Sequence, residues 1–392
     1  MLLSRLGITI VAGLLVTSAA AARASDVSEA LKSLRAVGPE GKGNAAATAA
    51  WQRVSQANAA ELVTILTALD DASPLAANWI RSAADSIAER QLQAGGRLPV
   101  ADLEKFLSDP RHNPKARRMV FEWIAKVDSA APDRLIPQML NDPSLELRRD
   151  AVARVLDEAA KQLADKNDQA AATFRKALTA SRDLDQVKLA SDELKKLGQS
   201  VDLPSHFGFL QKWQLIGPFD NTDKKGFAVA YPPESKLDAA ASYDGKTGQV
   251  NWFEHATADD YGNVDLNKAI GKNMGAVAYA WTEFVSDREQ PVEVRSGCEN
   301  ASKVWLNGKL LYEAEVYHAN VSMDQYVAHG VMKKGRNTIV LKVCQNEQTE
   351  QWAQEWKFQL RVCDRAGTAV LSQDRTASAA ASKTAVSEGS RQ

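Results

Sequence analysis

The sequence predicts a protein of two domains, an α-helical domain followed by an antiparallel β-sandwich. The chain has 392 residues, which is more than one hydrophobic core usually serves. All seven tyrosines, six of nine tryptophans and seven of ten phenylalanines fall between Pro204 and Val362, and the preceding segment is rich in alanine. Alanine favours helices and aromatic residues favour strands. We therefore predict helices over 25–200 and a sandwich over 201–371.

The first residues, MLLSRLGITIVAGLLVTSAAAARA, have the pattern of a secretory signal peptide over 1–24. One basic residue, Arg5, precedes an apolar run, and small residues precede the expected cleavage point after Ala24. A retained membrane anchor is the alternative, although no basic stop-transfer cluster follows. We expect export to the periplasm, cell surface or medium, with no stable membrane insertion after cleavage.

The net charge and the number of cysteines exclude two classes of protein, the nucleic-acid binders and the small disulfide-stabilised domains. Lys plus Arg number 48 and Asp plus Glu 49, so the chain lacks the basic excess of a nucleic-acid binder, and we predict no nucleic-acid partner. Three cysteines are too few for a disulfide scaffold. A bridge between Cys344 and Cys363 is our first choice, and three buried thiols are the alternative. The tail over 372–392 has no apolar period and is predicted to be disordered.

The best-specified helix of the first half is SLELRRDAVARVLDEAAKQL. Its apolar residues follow the three-and-four spacing of an amphipathic helix, and Arg148 and Arg149 are assigned to the solvent face. Asp142 is assigned as the N-terminal cap. His112, in DPRHNP, is interpreted as a solvated loop side chain, so we expect no reactive group of residues among the helices.

The helical half also has a weak internal repeat. Arg81, Arg118 and Arg149 recur at separations of 37 and 31 residues, each before an apolar stripe. The unit LNDPSLELRRDAVARVL resembles HEAT repeats, and the resemblance extends over Val27 to Leu197. It implies an α-solenoid or a compact helical array, whose usual role is scaffolding and protein–protein interaction. An ordinary helical bundle is the alternative.

Strands of period two follow in the second half. The segment GAVAYAWTEFVSD alternates along its length, and VWLNGKLLY places Asn307-Gly308 between two apolar runs. Asn-Gly supplies the positive φ angles of a two-residue hairpin turn. With TIVLKVCQ and EWKFQLRVCD, these strands predict an antiparallel sandwich.

Three of these segments, VWLNGKLLY, MKKGRNTIVLKV and WKFQLRV, resemble galactose-binding-like jelly rolls, including the sugar-binding domains of bacterial glycoside hydrolases. The resemblance extends over 275–363. It implies a non-catalytic module that binds a carbohydrate or packs against a neighbouring domain.

The loop CQNEQTEQWAQEW has the residue types that sugar binding needs, an aromatic face and planar hydrogen-bonding groups. We predict Trp352 as the platform, with Gln345, Asn346 and Glu350 as hydrogen-bonding partners. The alternative is that Trp352 closes the end of the sandwich.

A second loop, EAEVYHANVSMDQY, is predicted to lie at the same rim and to add Tyr317 and His318. Trp281 and Trp305 lie within strand patterns, so we interpret them as core or sheet-face residues and as poor site candidates.

Asp220, Asn221 and Asp223 in FDNTDKKG are candidate ligands of a structural calcium ion, and an ordinary Asx-rich turn is the alternative. We expect no other cofactor.

The sequence has no zinc-protease, nucleophile-elbow, P-loop or dinucleotide-binding motif. The resulting hypothesis is an exported, non-catalytic binding or scaffold protein that recognises a glycan or an envelope protein. A glycan hydrolase with rim carboxylates and a purely structural envelope protein are the alternatives.

Overall fold

The structure, a computed structural model, describes residues 26–375. The predicted signal peptide and residues 376–392 of the predicted tail lie outside the described residues. The chain divides after Ala190 into two compact units. Helices make up residues 26–207 and antiparallel strands residues 212–363, which confirms the predicted order of α then β.

From residue 26 onward, the first unit consists of helices joined by short turns. In chain order the helices up to residue 207 are α1 (26–35), α2 (Asn44–Ser55), α3 (Leu62–Thr67), α4 (Pro74–Gln93), α5 (Val100–Ser108), α6 (Pro114–Val127), α7 (Ala131–Leu135), α8 (Leu145–Ala164), α9 (Ala170–Ala180), α10 (Leu184–Lys196) and α11 (Leu203–Phe207). The division between the units falls within α10.

Local sequence explains where the longer helices begin. The Ser73 hydroxyl accepts a hydrogen bond from the backbone N–H of Ala76 at α4, and the Asn113 side chain accepts from two N–H groups at α6. Each cap is followed by a proline, which fits the first turn because its missing N–H has no intrahelical acceptor there. No described helix combines the length and apolar character needed to cross a bilayer.

Two sequence assignments at the start of α8 are wrong. Ser144, rather than Asp142, is the N-cap residue. The Asp142 carboxylate is buried and receives two hydrogen bonds from the guanidinium group of Arg117, at 2.6 and 2.7 Å. Arg148 is also buried, with its Nε donating to the Asp142 carbonyl. Arg148 is internal because its guanidinium group donates to the Asn141 and Asp142 carbonyl groups of the turn before α8, and Asp142 is internal because its carboxylate pairs with Arg117.

His112 is fixed by contacts with other side chains and is not the solvated loop residue expected from the sequence. Its Nδ1 lies 2.8 Å from Asp70 Oδ2, and its ring stacks on Phe106 with centroids 4.0 Å apart. Asp70 also accepts the backbone N–H of Asn113, so one carboxylate fixes the whole turn before α6.

The described part of the second unit, up to residue 375, contains twelve strands. In chain order they are β1 (Lys212–Asp220), β2 (Ser242–Asp244), β3 (Gln249–Asn251), β4 (Phe253–Ala256), β5 (Val264–Asp265), β6 (Ala276–Ser286), β7 (Gln290–Cys298), β8 (Ser302–Leu306), β9 (Lys309–Ala314), β10 (Tyr326–Met332), β11 (Gly335–Gln345) and β12 (Lys357–Cys363). Short helices α12 (Pro232–Ser235) and α13 (Leu266–Ala269) lie between strands.

The strands form a six-stranded sheet in the order β4-β1-β6-β11-β8-β9 and a four-stranded sheet in the order β10-β7-β12-β5. Strands β2 and β3 make a separate hairpin. Apolar residues of both large sheets share one buried cluster, in which Trp213 of β1 meets Phe358 of β12 edge to face at 5.2 Å. The two sheets therefore pack as layers of a sandwich.

The Asn-Gly turn has the predicted geometry. Asn307 and Gly308 have φ values of 51° and 78°, and they join β8 to β9. The Asn307 side chain also accepts the backbone N–H of Thr338 in β11. The turn is therefore fixed to the neighbouring strand.

The outer face of the six-stranded sheet is partly covered by residues 221–248. Phe227 and Tyr231 of this segment pack on Tyr279 and other apolar side chains of the sheet. Lys342 of β11 is fully buried beneath it and donates to the carbonyl groups of Phe227 and Val229.

The first-choice disulfide, Cys344 with Cys363, is absent, because all three cysteines are free and buried. Cys344 packs on the covered outer face of the six-stranded sheet, whereas Cys363 ends β12 in the other sheet. The two thiols therefore lie in different layers. At the start of the predicted tail, the buried Ser372 accepts the backbone N–H of Val285.

Candidate functional site

The candidate site lies at one rim of the sandwich, where several strands of the six-stranded sheet end together. Asp220 of β1 pairs with Ala276 of β6, which also pairs with Gln345 of β11. The loop 346–356 leaves this edge after β11. The loop 315–325 follows β9, whose last residue, Ala314, pairs with Ser302 at the start of β8. Antiparallel order thus brings both predicted loops to one end.

Trp352 is the most exposed large apolar side chain in the described residues, at 63 % of its full accessible area. It lies in a single turn of 3-10 helix, Gln351–Ala353, in the first loop. The His318 ring from the second loop meets the Trp352 ring edge to face, with centroids 5.1 Å apart and an interplanar angle of 76°. This contact holds one edge of the indole and leaves much of its surface open.

His318 is itself fixed by two amide side chains. Its Nε2 lies 2.8 Å from Gln348 Oε1 and 3.0 Å from Asn346 Nδ2. Its backbone has a φ of 59°, in the left-handed region, and its N–H donates to Asn300 Oδ1. Its Nδ1 has no hydrogen-bonding partner among the described residues. The ring is therefore positioned from several sides.

Tyr317 lies beside His318, with ring centroids 6.4 Å apart. Its hydroxyl accepts a hydrogen bond from Asn221 Nδ2 at 3.2 Å, and the ammonium group of Lys224 lies 5.1 Å from its ring centroid. Burial raises the pKa of Tyr317 to about 12, so its hydroxyl keeps its proton at neutral pH.

Two of the predicted partners hold the rim together instead of facing solvent. Gln345 is fully buried, and its Nε2 donates to the carbonyl groups of Ala353 and Glu355. Asn346 is also buried, and its amide connects His318 to the loop. We reassign both as supports of the loop, because their amide groups are used internally. Glu350 is exposed at the start of the turn that carries Trp352.

The candidate calcium ligands are engaged with protein groups. The Asp220 carboxylate accepts two hydrogen bonds from Thr222, which lower its pKa, and lies 3.3 Å from the Lys246 ammonium group. Lys246 also donates to the carbonyl group of Met274 at 2.9 Å. Asp223 pairs with Lys225 at 2.9 Å. Over residues 26–375, no group of three His, Cys, Asp or Glu side chains could hold a metal ion.

Sequence reasoning missed the role of Asn221 at the rim. Its fully buried amide donates to Tyr317 and, at 2.9 Å, to the carbonyl group of Gln345. The residue therefore links β1, β11 and the second loop. Its position directly after an apolar strand was the only signal in the sequence, and that position is shared by many turn residues.

Comparisons with known proteins give only distant structural similarities. No family model matches the chain, and no curated protein matches it. A β-glucosidase from Kluyveromyces marxianus in complex with glucose is 11 % identical, with a TM-score of 0.23, over 41 % of this chain and 17 % of the enzyme. An uncultured Clostridium sp. β-glucuronidase is 11 % identical, with a TM-score of 0.26, over 40 % of this chain and 29 % of the enzyme.

A family 35 carbohydrate binding module from Clostridium thermocellum is 13 % identical, with a TM-score of 0.15, over 25 % of this chain and 85 % of the module. The chain spans less than a third of either enzyme. These similarities are distant and each covers less than half of the chain, and we base no argument on them.

Proposed function

We propose that this chain is an exported, non-catalytic binding protein whose β-sandwich recognises a glycan through the rim that carries Trp352. The observation that supports the proposal best is the exposed indole, held edge to face by His318. The apolar face of a pyranose ring stacks on such a surface, as other flat ligands do on aromatic side chains. Glu350 supplies an acceptor at its border, and the Nε2 of Gln348 supplies a donor, since the Oε1 of Gln348 is engaged by His318 and Asn346.

A glycan array with the full-length protein and two variants tests this proposal. Trp352→Ala removes the indole, and Trp352→Phe keeps an aromatic face. We expect Trp352→Ala to lower affinity for the bound glycan at least about tenfold, equal to about 1.4 kcal/mol, and Trp352→Phe to retain part of it. Val331→Ala, at a residue that is 54 % exposed on β10, is the matched control and should leave binding unchanged.

Loss of binding in the control, or equal binding by Trp352→Ala and the unmodified protein, rejects the rim as the site. The same glycans serve to test catalysis through the release of reducing ends. Sustained turnover would show a hydrolase that uses rim carboxylates and would overturn the non-catalytic assignment.

A scaffold role for the helical half is the second candidate, and a recurring ion pair favours it. Arg118 pairs with Asp150, which is 32 residues later in the chain, and Arg149 pairs with Asp185, which is 36 residues later. Two successive arginines of the repeat therefore each bind a carboxylate about one repeat further along. This recurrence supports a HEAT-like array. A silent glycan array together with reproducible cross-linking to one envelope protein would favour the purely structural role.

A further inference from the structure

A second concave surface lies away from the rim, on the outer face of the six-stranded sheet near its β4 edge. It is a cleft of about 650 Å³. Strands β4, β1 and β6 line it, and the residues that matter here are Lys212, Gln214, Glu254, His255, Trp281 and Glu283. Trp281 lies five residues along β6 from Ala276 at the rim, a distance of about 17 Å in a strand. The cleft is therefore separate from the site around Trp352.

Strand register places three chemically different side chains in one row across this cleft. Glu254 of β4 pairs directly with Gln214 of β1, which pairs directly with Trp281 of β6. Directly paired residues project from the same face of a sheet. Because neighbouring strands lie about 4.8 Å apart, the row from carboxylate to indole spans about 10 Å.

The covering segment of the sheet ends just before this row. Tyr279, two residues before Trp281 on the same face, is fully buried beneath Tyr231 and Glu234. Trp281 is only half-buried and lines the cleft. The Trp252 ring meets it edge to face, with centroids 5.8 Å apart and an interplanar angle of 77°. An indole held by a second ring is thus found at this cleft as well as at the rim.

The polar lining fits a ligand rich in hydroxyl groups and low in negative charge. Gln214 can both donate and accept, Lys212 donates, and the exposed carboxylates of Glu254 and Glu283 accept. Asp374 adds a third carboxylate. Arg336 is ion-paired with Glu283 and Lys212 supplies one ammonium group, so the three carboxylates still outnumber the two cationic side chains. A uronic-acid chain would place its own carboxylates against these groups, which is unfavourable.

We infer that this cleft is a second carbohydrate-binding surface that takes a neutral, unbranched pyranose chain, with one sugar ring on Trp281 and hydroxyl groups on Gln214 and Glu254. The inference rests on the proposed glycan-binding function and extends it to a second surface. Two separate surfaces on one chain would raise avidity for a polymer that can reach both.

Calorimetric titration of the full-length protein tests the inference with cellohexaose, xylohexaose and hexagalacturonate as probes. In the Trp352→Ala background, the sheet-face cleft should still bind at least one of the neutral probes. Adding Trp281→Ala should lower that affinity at least about tenfold. Gln214→Ala, which changes no buried apolar side chain, should weaken binding in the same direction and guards against a folding defect. Hexagalacturonate should bind at least about tenfold more weakly than the neutral probe.

Trp305→Ala is the matched control. Trp305 occupies the same row of the sheet, two strands from Trp281, and is half-buried, but it does not line the cleft. Equal loss in Trp305→Ala and Trp281→Ala overturns the cleft assignment.

If Trp352→Ala alone abolishes binding of every probe, the sheet-face site is rejected while the rim proposal stands. If Trp352→Ala has no effect and Trp281→Ala removes binding, the cleft is supported and the rim proposal fails. Tighter binding of hexagalacturonate than of the neutral probes also overturns the ligand class.

Discussion

The ammonium group of Lys342 lies 2.8 Å from a carboxylate oxygen of Glu234, and the lysine side chain has no exposed surface. The two residues join strand β11 to helix α12 of the covering segment. Tyr279 donates its hydroxyl to the same Glu234 oxygen. All three donors of the ammonium group have acceptors, because the carbonyl groups of Phe227 and Val229 complete the set. A buried charge needs such compensation.

Removing one member of this pair is expected to destabilise the sandwich. Lys342→Met should lower the free energy of unfolding by about 3–5 kcal/mol, because Glu234 is left as an uncompensated charge. Urea unfolding measures the change. Lys268→Met is the control, since Lys268 is 85 % exposed in its pair with Asp265, and it should cost less than about 1 kcal/mol. Equal effects of the two variants would mean that burial adds nothing to the Lys342 pair.

Arg117, a buried arginine of the helical unit, allows a test of geometry at constant charge. Arg117 is 1 % exposed and makes a two-pronged contact with Asp142, while its Nε donates to the carbonyl group of Leu107 at 2.7 Å. Lysine cannot reproduce this planar fork. We expect Arg117→Lys to cost about 3 kcal/mol in thermal unfolding followed by circular dichroism. Arg149→Lys, at a residue that is 43 % exposed, should cost less than about 1 kcal/mol. A similar loss in both variants would contradict the argument.

We predict that the ion pairs of Asp324 are sensitive to acid. Burial acts to raise the pKa of its carboxyl group, but hydrogen bonds and charge from Arg361 and Arg295 outweigh burial and leave the pKa lowered. The pKa of an Asp carboxyl group in the unfolded chain is about 3.9. Because the pKa of Asp324 is lower in the folded state, its ionised form stabilises the fold at pH values above about 3.9. This stabilisation is lost as the pH falls through the pKa of the folded state.

The difference in unfolding free energy between the unmodified protein and Asp324→Asn should therefore be largest near neutral pH and shrink below about pH 4. Chemical unfolding at a series of pH values measures it. Asp287→Asn, at a side chain that is 51 % exposed, is the control and should show a small difference throughout. A pH-independent difference at Asp324 would contradict an ionic role.

The three thiols should be unreactive in the folded protein. Burial raises the pKa of Cys298 and Cys344 to about 12 and that of Cys363 to about 11, so the nucleophilic thiolate is scarce at pH 8. Mass spectrometry after iodoacetamide treatment should show no modification in the native protein and three modified cysteines after unfolding. A single modified cysteine after unfolding without reductant would reveal a bridge between the other two.

The correct structural predictions came from sequence features that depend only on local backbone geometry. Asn307-Gly308 needs only its own backbone preference to make the hairpin turn, and the observed φ angles agree. The period-two segments likewise defined strands, because alternation follows from the geometry of one strand.

The sequence could not show which side chains are buried by segments that are distant along the chain. Tyr279 and Trp281 follow one another on the same strand face, but only the first lies under residues 221–248. Gln345 and Asn346 were expected at a ligand, and the loop that folds back over them turned their amides inward. Burial of this kind depends on residues that are distant in sequence, so no local pattern encodes it.

The contact between His318 and Trp352 also bears on the thermodynamics of association. A free tryptophan on a loop loses rotamer freedom when a ligand orders it, and that loss opposes binding. The edge-to-face contact restricts the indole before any ligand arrives, so less entropy remains to be lost. Weakening this restraint through His318→Ala should therefore make the measured binding entropy more unfavourable, even though the imidazole need not touch the sugar.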